Sequence, residues 1–180
     1  MWKIQFILGI LATALSSATH AYDGTITFNG KVVAQTCSVT TGSKNLTVTL
    51  PTVSANSLNS SGEVVGLTPF TISLEGCNTA AATGVQSVKA YFEPNASTDY
   101  TTGNLTNTNT SGASNVQIQL LNADGVKAIK LGQAAAAQDV DAVTINDAIV
   151  TLRYNARYYA TGAATAGDVA STVNYTIAYQ

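Results

Sequence analysis

Apolar and polar residues alternate with a period of two in short runs separated by Gly, Asn, Asp, Ser and Thr, and no stretch repeats its apolar positions with helical spacing. Period two puts successive side chains on opposite faces of an extended backbone, so the pattern predicts strands throughout. The runs are Thr25 to Ala34, Leu46 to Leu50, Leu67 to Leu74, Val85 to Phe92, Val116 to Leu121, Val126 to Leu131, Val143 to Ile145, Ala148 to Ala160 and Thr172 to Tyr179. So many short strands in one domain predict an all-β sandwich or barrel. In Val116-Gln117-Ile118-Gln119-Leu120 the apolar residues share one face and the glutamines the other, the pattern of a half-buried strand. Asn122-Ala123-Asp124-Gly125 supplies a turn into the next run and predicts a hairpin. Ser97 to Asn115 is rich in Thr, Asn, Ser and Gly with Leu105 as its lone large aliphatic residue, which predicts an exposed loop or irregular sheet edge. The run Ala134 to Ala137 fits either one helical turn or a small-residue loop.

Two of the runs lie at the extremities. Gly24-Thr25-Ile26-Thr27-Phe28-Asn29-Gly30-Lys31-Val32 precedes the first cysteine, with Ile26, Phe28, Gly30 and Val32 on one face and Thr25, Thr27, Asn29 and Lys31 on the other. Val173-Asn174-Tyr175-Thr176-Ile177-Ala178-Tyr179 runs directly up to Gln180. A chain that is strand-like at both ends has two candidate sites for pairing between chains. Ahead of the first run, Met1-Trp2-Lys3 is a short basic start, Ile4 to Leu15 is apolar but too short to span a bilayer, and Thr19-His20-Ala21 is a small-residue exit. Residues 1–21 therefore read as a secretory signal peptide cleaved after Ala21, with Ala18 as the alternative exit and a retained amphipathic anchor as the alternative role. What remains is of common single-domain size.

A secreted chain narrows the available chemistry. The 180 residues carry 8 basic and 10 acidic groups for a net charge of −2, without a basic stripe that could hold phosphate backbones, so nucleic acid is not a partner. Only 10% of residues are charged while 46% are hydrophobic, which suits a subunit packed among copies of itself. Cys37 and Cys77, an even count in an oxidising compartment, predict one disulfide rather than a thiol nucleophile or a metal pair. The sole histidine, His20, leaves with the signal peptide, which excludes Ser-His-Asp and Cys-His catalysis and histidine-based metal sites. Asp139 and Asp141 form the tightest acidic pair but lack the ladder of a calcium loop, so a solvated loop is expected there. Nothing brings Glu75 and Glu93 together as a glycosidase pair. No catalytic residue, metal or cofactor is expected.

The mature start, the cysteine pair, the segment Ala156-Arg157-Tyr158-Tyr159-Ala160-Thr161-Gly162-Ala163 and the ending Tyr175-Thr176-Ile177-Ala178-Tyr179-Gln180 together resemble a pilin of bacterial chaperone-usher fimbriae. The resemblance spans the mature chain and lies within the type 1 pilin group, towards the major subunit of G fimbriae. Tyr179, the penultimate residue, and Gly167, fourteenth from the end, match that group's C-terminal pattern. The resemblance implies an incomplete immunoglobulin-like sandwich that lacks its C-terminal strand. It divides the chain into a signal peptide (1–21), an N-terminal donor-strand extension (22–34) and a pilin domain (35–180). It further implies a structural subunit that polymerises by donor-strand exchange after handling by a periplasmic chaperone and an outer-membrane usher. Such a subunit is exported through the periplasm to the cell surface, where the fimbria supports adhesion through a separate tip adhesin.

By that resemblance Gly24, Ile26, Phe28, Gly30 and Val32 form the inward face of the donor strand. Gly167, Val173, Tyr175, Ile177, Tyr179 and Gln180 form the acceptor groove and the chaperone contact, with the Gln180 carboxylate as the chaperone's anchor. On the residues alone Asn29-Gly30 also reads as a hairpin turn, whereas the resemblance places Gly30 where the groove narrows. The rival roles are a minor adaptor, a carbohydrate-binding tip subunit, which would need an additional N-terminal lectin domain, and a freestanding binding module with a complete sandwich.

Overall fold

The computed structural model describes residues 24–30, 32, 37–79 and 87–180. The signal peptide, Lys31, the end of the extension at Val33 and Ala34, and the expected strand start at Val85 lie outside the described residues. The chain forms two units, residues 1–32 and 33–180, each taken by itself. In the first, Gly24–Gly30 and Val32 belong to no ladder, and the side chains of Ile26, Phe28 and Val32 are 78%, 88% and 101% exposed.

The second unit is all-β. Its strands are β1 (Ser38–Val39), β2 (Val64–Glu75), β3 (Ser87–Glu93), β4 (Thr98–Asp99), β5 (Asn104–Thr106), β6 (Val116–Leu121), β7 (Val143–Thr144), β8 (Ile149–Ala160) and β9 (Asn174–Tyr179). A one-turn helix at Thr41–Lys44 and a 3-10 turn at Ala55–Leu58 interrupt the chain between β1 and β2. Six strands form one sheet in the order β1-β2-β8-β6-β5-β4, and three form another in the order β7-β3-β9. Every pairing is antiparallel. The long β2–β8 ladder, from Val64↔Tyr159 to Glu75↔Ile149, is the spine of the larger sheet.

Alternation settles which faces meet. Ile72 and Leu74 of β2, Leu120 of β6, and Val150, Leu152, Tyr154 and Ala156 of β8 share one buried cluster with Val88, Ala90 and Phe92 of β3. Tyr154 joins the sheets, edge-on to Phe92 at 5.3 Å and tilted against Phe70 at 5.7 Å between ring centres. The expected disulfide joins Cys37 to Cys77 and fastens the chain just ahead of β1 to the end of β2.

Three expectations need narrowing or correction. Ser97–Asn115 takes the irregular-edge alternative and not the exposed loop: it contributes β5 and β4 at one edge of the larger sheet, with Leu105 and Asn104 only 3% and 1% exposed. Its polar side chains satisfy one another, so burial costs little. Gln117 donates to Asp99 at 2.6 Å, while Thr102 and Asn104 donate to Gln117 at 2.7 and 3.1 Å. Val126–Leu131 makes a single bridge, Leu121↔Ala128, instead of a hairpin ladder, because β5 already occupies the rest of that edge of β6. Leu46–Leu50 alternates as expected yet joins no ladder, for a reason the groove explains below. Ala134–Ala137 is a tight turn closed by the Ala137 N–H on the Ala134 carbonyl at 2.7 Å. Asp139 and Asp141 lie at the surface, paired with Lys130 and Lys127 at 2.6 and 2.7 Å. Glu75 and Glu93 fall in different sheets.

Candidate functional site

The phase of the β3–β9 ladder decides which way the last strand presents its backbone. Ser87 and Gln180 exchange both backbone hydrogen bonds, at 3.2 and 2.9 Å. In an antiparallel pair, bonded and non-bonded residues alternate. Asn174, Thr176, Ala178 and Gln180 therefore turn their N–H and C=O groups toward β3, while Val173, Tyr175, Ile177 and Tyr179 turn theirs the other way. Among the described residues β9 has no neighbouring strand on that side, and none of these four makes a backbone–backbone hydrogen bond there. Their side chains pack against the core. One set of residues thus combines an apolar face with a row of unused backbone donors and acceptors.

The far edge of the same sheet is treated differently. Beyond the two residues of β7, the Ala90 N–H donates to the Tyr154 hydroxyl at 3.1 Å and the Phe92 N–H to Gln138 Oε1 at 3.2 Å. Gln138 Nε2 returns a bond to the Phe92 carbonyl at 2.6 Å, from a side chain that is 0% exposed. Burial pushes the Tyr154 phenol up to about 12, so it stays neutral across the physiological range. A buried backbone group left unmet costs ~1–3 kcal/mol. The chain spends buried side chains to complete one edge and leaves the other open.

The open edge borders a groove of about 790 Å³. Phe70, Ile72, Leu105, Ile118 and Leu120 form its apolar floor. Its second wall is the segment from Asn45 to Leu50, in which Leu46, Val48 and Leu50 line the groove while no backbone–backbone hydrogen bond forms among the described residues. Here is the reason for the missing ladder: Leu46–Leu50 has strand periodicity, but the strand it would pair with is not supplied by the described part of this domain. Two tyrosines of β9 reach the chain that leads up to this wall. The Tyr175 hydroxyl donates to the Ser43 carbonyl at 2.6 Å, and the Tyr179 hydroxyl donates to the Cys37 carbonyl at 3.1 Å while accepting from the Cys37 N–H at 3.3 Å. Burial raises the Tyr175 phenol above its ordinary value, which keeps that donor protonated. The arrangement is a slot with an apolar floor and, among the described residues, unused backbone polarity on both sides.

Of the residues singled out from sequence, Val173 and Tyr175 line the groove, Ile177 and Tyr179 continue the open edge, and Gln180 ends the ladder. Gly167 lies in an adjoining cavity of about 540 Å³ that shares Leu50 with the groove. Its φ is +155°, and a Cβ there would stand 2.5 Å from the Ala113 nitrogen and 2.7 Å from the Gly112 carbonyl carbon. Gly167→Ala should therefore cost roughly 2–3 kcal/mol of stability, read as a lower denaturation midpoint of the mature chain. Sequence reasoning missed the floor, the Leu46–Leu50 wall and Gln138. The alternation of Leu46, Val48 and Leu50 signalled the wall, whereas nothing local marks Gln138. Among the described residues no group of three His, Cys, Asp or Glu side chains is placed to hold a metal.

A two-sheet domain that lacks one strand beside its last one belongs to the class of incomplete immunoglobulin-like sandwiches. Two solved structures share this fold: the P pilus rod subunit PapA, with a TM-score of 0.63 at 21% identity over 81% of this chain and 100% of that one, and a chaperone-usher pilus subunit, with a TM-score of 0.62 at 24% identity over 91% and 99%. The family described as FimA, type-1 fimbrial protein, A, matches residues 50–180. The chain is 86% identical over 180 residues to the F17 fimbrial protein of Escherichia coli, covering 100% of both. It is 46% identical over 174 residues to the major fimbrial subunit SMF-1 of Stenotrophomonas maltophilia, covering 94% of this chain and 99% of that one. The chain belongs to the type-1 fimbrial protein family and is a structural subunit of a surface fimbria.

Proposed function

We propose that the chain is the major, rod-forming subunit of its fimbria, of the G-fimbrial kind, and that copies join by donor-strand exchange. In this reading residues 22–34 of one copy enter the groove of the next. Ile26, Phe28, Gly30 and Val32 face the floor, and the backbone pairs with the open edge at Val173, Tyr175, Ile177 and Tyr179. The observation that carries the reading is the contrast between the two edges of the β7-β3-β9 sheet, one completed by Tyr154 and Gln138 and the other left beside an apolar slot. The donor segment is suited to the slot because its apolar side chains are exposed in the single chain. Burying each would contribute ~1.5–3 kcal/mol.

An unfilled slot exposes a sheet edge that would aggregate, so export requires a temporary strand. A periplasmic chaperone fills that role, holding the Gln180 carboxylate, before an outer-membrane usher passes the groove to the incoming extension. The signal peptide supplies the route through the periplasm. Receptor recognition belongs to a separate tip adhesin, and the subunit serves adhesion without catalysis.

Gly30→Leu tests the assignment of the donor face. In the free segment a Cβ at Gly30 meets nothing within 4 Å, so the variant subunit should accumulate normally with its chaperone. Over a tightly packed floor the larger side chain costs ~1–3 kcal/mol at every joint, and fibre yield should fall at least about tenfold. Wild-type fibre yield from Gly30→Leu refutes the assignment.

A further inference from the structure

The donor segment contains the chain's only Asn-Gly dipeptide, Asn29-Gly30. Both residues are exposed and belong to no ladder, and neither makes a hydrogen bond among the described residues. We infer that Asn29 is a site of spontaneous deamidation, open while the segment is free and closed once it lies in a neighbour's groove; the second half rests on the donor-strand reading. The chemistry needs no catalyst. The Gly30 backbone nitrogen attacks the Asn29 side-chain carbonyl carbon, the new C–N bond closes a succinimide, and ammonia departs with the proton taken from that nitrogen. Water then opens the ring at either carbonyl, leaving aspartate or isoaspartate. Glycine is the most permissive following residue because no Cβ obstructs the approaching nitrogen.

The other candidate positions are less open. Asn56 and Asn59 are followed by serines that carry a Cβ, and Asn59 Nδ2 is bonded to the Asn56 carbonyl at 3.2 Å within a closed turn. Asp124-Gly125 could isomerise by the same ring, but Asp124 Oδ1 accepts from the Val126 and Lys127 N–H groups at 2.9 and 3.0 Å, and the Gly125 N–H is bonded to the Asn122 carbonyl at 3.1 Å. That locked dipeptide is an internal control.

Insertion closes the site for two reasons. Ring closure requires the Asn29 Cβ and the Gly30 nitrogen to be nearly eclipsed about the Cα–C bond, which strand backbone with ψ near about +135° excludes. A strand bordered by unpaired backbone on both sides also has its N–H groups engaged whichever way they point. The damage matters because isoaspartate carries the main chain through its side-chain methylene. Ile26 and Phe28 then fall out of phase with Gly30 and Val32, and a period-two strand cannot present both pairs to one floor. A subunit that waits too long for its neighbour loses its plug.

The test compares chaperone-held subunits with assembled fimbriae, both aged in warm, mildly alkaline buffer, by peptide mapping for deamidated and isoaspartyl products. In the held subunit Asn29 should convert faster than any other asparagine, Gly30→Ala should slow it several-fold, and Asp124 should stay unchanged. In fibres the Asn29 rate should fall at least about tenfold, and aged subunits offered to fresh usher should leave their isoaspartyl fraction out of the fibre. If Asn29 is no faster than Asn56 or Asn59 in the held subunit, the modification site is overturned. Equal rates in fibres whose extension resists proteolysis overturn the protection while sparing the donor-strand reading. Fibres whose extension remains open to protease overturn that reading instead.

Discussion

Repeating residues 23–34 after Gln180, through a flexible linker, should raise the melting temperature of the isolated mature chain by roughly 10–20 °C. The control carries the same addition with aspartate in place of the repeated Phe28, so chain length and linker are matched. Burial of Ile26, Phe28 and Val32 at ~1.5–3 kcal/mol each sets the scale. The backbone hydrogen bonds formed with the β9 edge and the Leu46–Leu50 wall roughly offset the entropy of ordering the segment. A linker long enough to permit either strand direction leaves orientation to the groove. The filled chain should be a soluble monomer without chaperone, measured by sedimentation alongside the thermal melt. If both versions melt together, the groove is not a missing-strand site.

The same pairing logic explains what the sequence could and could not disclose. Strands β2, β8 and β9 show their period-two pattern because one face of each meets the core and the other does not, whereas in β6 the glutamine face expected at the surface is buried as well, Gln117 and Gln119 being 6% and 8% exposed. The open edge was legible at Val173, Tyr175, Ile177 and Tyr179 for that reason. β4 and β5 were not, since Asp99, Thr102, Asn104 and Gln117 bury polar atoms by bonding one another, and such mutual satisfaction leaves no trace in hydropathy. The groove floor joins Phe70 of β2 to the paired Leu105 and Ile118 of β5 and β6, a juxtaposition that only the folded sheet creates. Leu46–Leu50 is the instructive case. Its pattern predicts a strand, its backbone finds no ladder partner among the described residues, and the discrepancy marks one wall of the groove.

Replacing both cysteines, Cys37→Ser with Cys77→Ser, should lower stability by about 4 kcal/mol, the entropy of the 40-residue loop that the bridge closes. The location implies a second effect. Cys37 directly precedes Ser38 and Val39, which line the groove, and its backbone N–H and carbonyl both meet the Tyr179 hydroxyl of β9. Cys77 is held in turn by its N–H on the Ala148 carbonyl at 3.0 Å, just ahead of β8. The bridge therefore fixes one rim of the slot to the larger sheet while Tyr179 ties it to the smaller one. Once a donor strand fills the slot, that rim gains a ladder of its own and depends less on the covalent tie. The double cysteine variant should accordingly cost more in the empty chain than in the self-filled chain described above, a non-additivity that denaturation of all four proteins would measure. Equal losses in both backgrounds would show that the disulfide stabilises the domain without shaping the groove.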